Sequence, residues 1–187
     1  MSEAQESKGR FLTREEYRHW VEAQPRGRFE RVAGEAVAMA PERVGHALVK
    51  ANLWRALDDA VRRAAIPCQA LPERVTVEIG EDTDYEPDAM VNCGERLDRE
   101  ALAAPKPVII AEVLSPTTAS VDTGRKLADY FSLASVRHYL ILRADKPQII
   151  HHERRDDGTI ITRIITEGEV RFEPPGIAIQ IGDIYRD

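Results

Sequence analysis

Three side chains carry the chemistry that this sequence could perform. Asp88 stands in the run Y-E-P-D-A-M-V, Glu112 in P-V-I-I-A-E-V-L-S-P-T-T, and Lys126 in the amphipathic stretch that follows. Carboxylates inside apolar, strand-like runs are costly unless they are paired or bind a metal. If the two runs are neighbouring strands, Asp88 and Glu112 converge across a gap of ~5 Å. Oxygen donors of this kind suit a hard cation, Mg²⁺ or Mn²⁺. Such an ion turns a bound water into a nucleophile or polarises a phosphoryl oxygen. A lysine beside it orients the attacking water or neutralises charge at the scissile phosphate. The pattern therefore points to metal-dependent hydrolysis of a phosphodiester.

Each residue also has a plainer reading. Glu112 could be salt-bridged to a nearby Arg or Lys, although a mid-strand glutamate between aliphatics has few structural reasons to exist. Pro87-Asp88 is also a turn former. Asp122 and Lys126 are spaced as an i,i+4 pair, worth only ~0.2–0.5 kcal/mol.

The surrounding periodicities say what must position these groups. Residues 1–10 read as a disordered leader, and residues 11–187 as one domain. Thr13 and Glu16 form a capping-box pattern before a helix from about Arg14 to Ala23, with Phe11 or Leu12 stapling its entry. Its stripe is Tyr17, Trp20 and Val21. A hairpin follows from Phe29 to Ala40, turning at Gly34-Glu35. A long helix runs from about Val44 to Ala65, with Val44, Leu48, Ala51, Leu57 and Val61 as its apolar face. Its basic residues Arg43, Lys50, Arg55, Arg62 and Arg63 read either as a solvated face or as one that meets nucleic acid. Residues 68–79 alternate as strand material. Ala89 to Cys93 is a short strand, and Pro107 to Leu114 is aliphatic enough to be covered on both faces. Ser115 to Ser120 reads as a turn, then a helix spans Val121 to Ala134. Strands from Val136 to Leu142, Gln148 to Arg154 and Thr159 to Thr166 follow. Shorter pieces and a last helical turn end the chain. The order implies an α/β fold with a mixed β-sheet flanked by helices and extra antiparallel hairpin strands.

Bulk properties narrow the class. A chain of 187 residues is long enough for a real core. Its formal net charge of -6 argues against general nucleic-acid binding, which needs Lys and Arg to neutralise phosphates. The two cysteines, Cys68 and Cys93, show no zinc-ligand spacing or disulfide framework, and buried free thiols are the expectation. The first ten residues lack the apolar stretch of a signal peptide. No apolar run approaches the ~20 residues that span a bilayer, so a cytoplasmic protein away from membranes is expected.

At these residues the sequence resembles the Uma-two family, bacterial members of the PD-(D/E)XK nuclease superfamily described as putative restriction endonucleases. The resemblance runs from about Leu12 to Ile181. It rests on F-E-R-V-A-G-E-A-V-A-M-A-P with His46 downstream, on E-P-D-A-M-V, on E-V-L-S-P-T-T, on D-T-G-R-K-L-A-D-Y and on S-V-R-H-Y-L-I-L. It implies a restriction-endonuclease-like core in which Asp88 and Glu112 bind Mg²⁺ or Mn²⁺, with the Val113 carbonyl as a further ligand. The usual motif has lysine two residues after the acid, and Leu114 stands there instead. The resemblance implies that the lysine has moved to the next helix, as Lys126. Glu30 matches the family's upstream glutamate, and Glu35 competes for that role. His46 matches a recurrent position, with a locally bonded helix-start histidine as the plain alternative. Tyr130 and Tyr139 match too, but packing in the core is the better reading of both. His138, His151 and His152 match nothing, and the adjacent pair His151-His152 points to opposite strand faces.

The implied activity is DNA endonuclease, and two other classes remain. One is an inactive or weakly active nuclease-fold module that binds nucleic acid or a protein, favoured by the acidic charge and displaced lysine. The other is an accessory factor of a toxin or mobile element within a larger complex. A homodimer suits an enzyme that cuts both DNA strands.

Overall fold

A computed structural model describes residues 11–114 and 123–186. The expected leader, the Ser115–Ser120 turn, the start of the helix after it and Asp122, the expected partner of Lys126, lie outside those residues.

The chain enters through α1 (Arg14–Glu22), where Thr13 and Glu16 bond each other's backbone N–H groups as a capping box. Leu12, not Phe11, is buried beside it. A hairpin of β1 (Phe29–Val32) and β2 (Glu35–Ala38) follows. Its register pairs Val32 with Glu35, so the turn is Ala33-Gly34, one residue earlier than the sequence suggests. Both residues have positive φ, 51° and 80°, as in the type I′ turns that match strand twist. Gly34 is needed twice over, because a Cβ there would lie 2.2 Å from the Phe11 ring.

The second helix, α2 (Val44–Ala64), precedes β3 (Cys68–Pro72), β4 (Val77–Ile79), β5 (Thr83–Tyr85), β6 (Ala89–Cys93) and β7 (Pro107–Leu114). Residues 68–79 are thus two strands, and they belong to different sheets. Next come α3 (Thr123–Ser132), β8 (His138–Arg143), β9 (Ile149–Arg154) and β10 (Ile160–Ile165). The chain closes with β11 (Glu169–Phe172), β12 (Ile177–Gln180) and α4 (Ile181–Ile184).

A six-stranded sheet in the order β10-β9-β8-β7-β6-β3 is the centre. Only β7 and β8 run parallel within it, joined through α3, so the sheet is mixed. Alternation along β7 assigns its side chains to two cores. Ile109, Ala111 and Val113 face Val49, Leu53, Leu57, Ala60 and Val61 of α2. Ile110 faces Tyr130 of α3 and the Val77, Ile79 and Tyr85 side chains of a second, four-stranded sheet, β2-β1-β5-β4. Pro107–Leu114 is therefore covered on both faces, as its composition predicts.

The apolar face of α2 differs from expectation. Leu57 and Val61 are buried, but Val44, Leu48 and Ala51 are exposed and Val49 and Leu53 take their place. Both stripes obey a 3.6-residue period, so periodicity alone does not say which side meets the sheet. Lys50, expected on a basic outer face, is buried.

The cysteines also correct the sequence reading. Cys68 and Cys93 are directly opposite in the β3–β6 ladder and form a disulfide. The Cys93 N–H donates away from β3, to the Lys106 carbonyl. The pair thus occupies a site without ladder hydrogen bonds, where facing side chains come closest. Their sequence separation of 25 gives no hint of this adjacency.

The two adjacent histidines do point to opposite faces. His151 packs with His138 and Phe172, while His152 stacks on Tyr139. His138 Nε2 donates to the Pro174 carbonyl. Its neutral ring must then accept at Nδ1, from His151 Nε2–H at 3.0 Å.

One buried ion pair anchors the four-stranded sheet. Arg31 is fully enclosed, its Nε 2.6 Å from Asp84 Oδ2 on the neighbouring strand β5. Its remaining donors reach the carbonyls of Leu12 and Glu81. Asp84 is shared with Arg14 of α1 at 2.8 Å. Removing one partner of such a pair leaves a charge buried without compensation. Asp84→Ala is predicted to lower the unfolding free energy by about 3–5 kcal/mol in urea titrations. A loss below ~1 kcal/mol, the value of an exposed pair, would show that Arg31 is not held as described.

Candidate active site

The acids that the sequence singles out lie on β1, on β7 and at the residue before β6. Ala89 pairs with Ala111, so the ladder ends with Asp88 and Glu112 as the next residues of the two chains. Both are buried, as is Glu30 on β1. The hairpin carries Glu30 across to the sheet, where its Oε1 accepts the Glu86 N–H at 3.0 Å. Glu35 is not brought in. It is exposed beside the hairpin turn, opposite Val32.

By alternation Glu112 projects to the α3 side of β7 with Ile110 and Leu114. There Lys126 Nζ lies 3.1 Å from Glu112 Oε1 and 3.0 Å from Glu30 Oε1, bridging the two acids. Tyr130, one turn further along α3, donates its hydroxyl to the same Glu112 oxygen at 2.7 Å. Tyr130 is thus both a core residue and a site residue, and Tyr139 packs against its ring at 5.1 Å. Lys126 also sits 4.9 Å from the centre of the Tyr85 ring. These contacts explain the displaced lysine. A side chain at position 114 would share Glu112's face of the sheet. Lys126 reaches that face from the helix while Leu114 packs into the core.

Asp88 stands just before β6, where the ladder ends. Its Oδ2 accepts the Val113 N–H at 2.7 Å, tying the two strands together. Its Oδ1 is met by Lys50 of α2 at 2.9 Å. One turn earlier on that helix, His46 Nε2 bonds the Val113 carbonyl and its Nδ1 is 2.6 Å from Glu42. Lys50 is the site residue that sequence reasoning missed. The signal is present in the sequence, since His46 and Lys50 are spaced i,i+4 on one face of α2, but composition alone does not separate Lys50 from the exposed arginines of that helix.

Burial dominates the electrostatics. It raises the Glu112 carboxyl from 4.5 to about 7, against the pull of Lys126, while Asp88 and Glu30 push it higher still. Burial and then the Glu112 charge hold the Tyr130 hydroxyl protonated well above its ordinary range. At Glu42 and Glu73 burial also acts upward, but Lys50, together with His46 at Glu42 and Arg28 at Glu73, outweighs it and holds both carboxyls below their usual value.

The donor set fits a hard cation. It comprises two facing carboxylates and a peptide carbonyl, all oxygen. Glu112 Oε1 accepts from both Lys126 and Tyr130. Among the described residues no group of three or more acidic, histidine or cysteine side chains is placed to hold a metal ion, so the protein side chains alone would supply at most two ligands. Two carboxylates and water or phosphate oxygens are the usual complement for Mg²⁺, which keeps part of its hydration shell.

Comparison with known proteins agrees with this architecture. Residues 14–182 match the model of a family, Uma2, described as "Putative restriction endonuclease". An uncharacterized protein of Synechocystis sp. is 25% identical over 177 residues, covering 94% of this chain and 92% of the relative. A second one from the same organism is 26% identical over 167 residues, 87% of this chain and 93% of that protein. The fold matches the crystal structure of a protein from Anabaena variabilis described as a putative nuclease belonging to DUF820. The TM-score is 0.73 with 14% identity, over 93% of this chain and 97% of the other. Among the described residues no helix is long and apolar enough to cross a membrane.

The raised Glu112 carboxyl makes stability depend on pH with a defined sign. Between about 4.5 and about 7 the folded protein holds a proton that the unfolded chain releases. The associated stability is full below that window and is lost as pH rises through it. In chelator-treated protein, the stability difference between wild type and Glu112→Gln is predicted to move in the variant's favour across this window. Urea unfolding at stepped pH measures it, and a pH-independent difference would mean that Glu112 is ionised throughout.

Proposed function

Because the chain belongs to the Uma2 family of putative restriction endonucleases, we propose that it is a DNA endonuclease dependent on Mg²⁺ or Mn²⁺. The observation that carries this reading is the facing pair Asp88 and Glu112, with Lys126 placed between Glu112 and Glu30. A structural salt bridge would need one acid and one base. Here three buried acids meet two buried lysines: Lys126 bridges Glu30 and Glu112, and Lys50 meets Asp88.

Asp88, Glu112 and the Val113 carbonyl would hold the ion. When bound, it supplies Lewis-acid stabilisation of a phosphoryl oxygen and activates a water. The chain's own groups have separate tasks. Asp88 joins the β6 and β7 ends through the Val113 N–H, which keeps the Val113 carbonyl and Glu112 in register with it. Tyr130 fixes the rotamer of Glu112 by donating to one of its oxygens. Lys126 stabilises negative charge that develops at the phosphate and orients the attacking water. Glu30 holds Lys126 in place from β1 of the four-stranded sheet.

Cleavage of supercoiled plasmid and of single-stranded DNA with Mg²⁺ or Mn²⁺ tests this. Glu112→Gln is predicted to abolish cleavage, and Lys126→Ala to slow it roughly 10²–10³-fold, the loss typical of a transition-state charge partner. Unchanged cleavage in Glu112→Gln would sink the assignment. No cleavage by the wild type, with DNA or protein binding retained, would identify an inactive nuclease-fold module instead.

A further inference from the structure

The cation placed at Asp88 by that reading meets one already there. Lys50 Nζ is 2.9 Å from Asp88 Oδ1 and 2.9 Å from Glu42 Oε1, and it also bonds Glu73 Oε2. An ammonium has three protons, and these three carboxylates account for all of them. Burial alone would lower the lysine, but Asp88, Glu73 and Glu42 together raise it and keep it charged. The acids differ in setting. The Asp88 side chain is 7% exposed, whereas those of Glu42 and Glu73 are 30% and 33% exposed. Lys50 therefore bridges one interior acid and two acids that open to solvent. Glu73 is itself held by Arg28, which also reaches Glu86 at 3.4 Å.

A buried carboxylate without a counter-ion is costly, and Lys50 removes that cost while no metal is present. A divalent ion at Asp88 would face a like charge at close range in a partly buried site. We propose that Lys50 is a resident cation at Asp88, occupying that acid in the metal-free protein and withdrawing toward Glu42 and Glu73 as a divalent ion loads. The inference rests on the metal-dependent reading above. It makes Lys50 a positioning residue that sets metal affinity through Asp88. Lys126, on the other side of the sheet, keeps its contacts with Glu112 and Glu30. Withdrawal leaves the ammonium two of its three partners, so release of Asp88 does not strand the charge.

Calorimetric titration of Mn²⁺ into the full chain tests this, alongside thermal unfolding with and without Mn²⁺. Lys50→Met is predicted to bind Mn²⁺ about tenfold tighter or better than wild type. Its Mn²⁺-induced rise in Tm is larger, because the ion then supplies the only counter-charge to Asp88. Glu73→Gln, at a semi-exposed position, removes one acceptor for the withdrawn ammonium. It is predicted to weaken Mn²⁺ binding several-fold in the native background and to have little effect when combined with Lys50→Met, a coupling that simple loss of charge would not produce. Equal or weaker Mn²⁺ binding by folded Lys50→Met overturns the proposal and leaves the nuclease reading standing. If Lys50→Met does not fold, unchanged Mn²⁺ affinity in Glu73→Gln overturns it. Absence of Mn²⁺ binding in both wild type and Lys50→Met removes the metal-dependent reading and this inference with it.

Discussion

A carboxylate in the middle of an aliphatic strand needs compensation from outside the strand, and the geometry of this protein follows from meeting that need at Glu112. Strand β7 is covered on both faces, so solvent does not neutralise the charge. The compensation comes from α3, whose Lys126 and Tyr130 bond one oxygen of Glu112. That helix is also the crossover between the parallel pair β7 and β8. The same segment thus closes the core around Tyr130 and brings a cation to the acid. Since the lysine arrives from the helix, position 114 is free to be Leu and to pack.

The second acid is compensated from the opposite direction. Helix α2 covers the other face of the sheet, and Lys50 near its start reaches Asp88 where β6 begins. The two lysines come from the two layers that sandwich the sheet, and the carboxylates lie at the strand ends between them. Glu30 is added by the small sheet, whose strands β1 and β5 are tied by the enclosed Arg31–Asp84 pair. That pair sits one residue along β1 from Glu30. A shift of the hairpin would disturb the Lys126–Glu30 contact and the ion pair together. Buried charge is therefore distributed as a linked set, and each member needs its neighbours to be tolerable in the interior.

Parts of this arrangement are legible in the chain and parts are not. The strands Ala89–Cys93 and Pro107–Leu114 stand out because their apolar runs are bounded by Pro, Gly and polar residues. The Thr13–Glu16 capping box is a local hydrogen-bond pattern and reads directly. The α2 face does not, because two apolar stripes satisfy the same period. The hairpin turn was displaced by one residue because Ala33 occupies a positive-φ position where Asn or Gly is the usual marker. Family resemblance, carried by E-V-L-S-P-T-T and the D-x-x-x-K-x-x-x-Y pattern, brought Lys126 and Glu30 into view where spacing alone favoured an ordinary helix pair for Lys126.

By itself the sequence determined the type of most main elements and the fact that Glu112 would need a partner, since both follow from local patterning and the cost of burying a charge; the short strand β5 (Thr83–Tyr85) is too polar to stand out. Only the tertiary structure decided which partners arrive. Lys126 and Glu30 are far apart in the chain, as are Lys50 and Asp88, and Cys68 and Cys93 meet only because β3 pairs with β6. Strand order and helix rotation are set by packing over the whole core. A one-dimensional pattern specifies that a face is buried without specifying what buries it, and the site is made of those unspecified meetings.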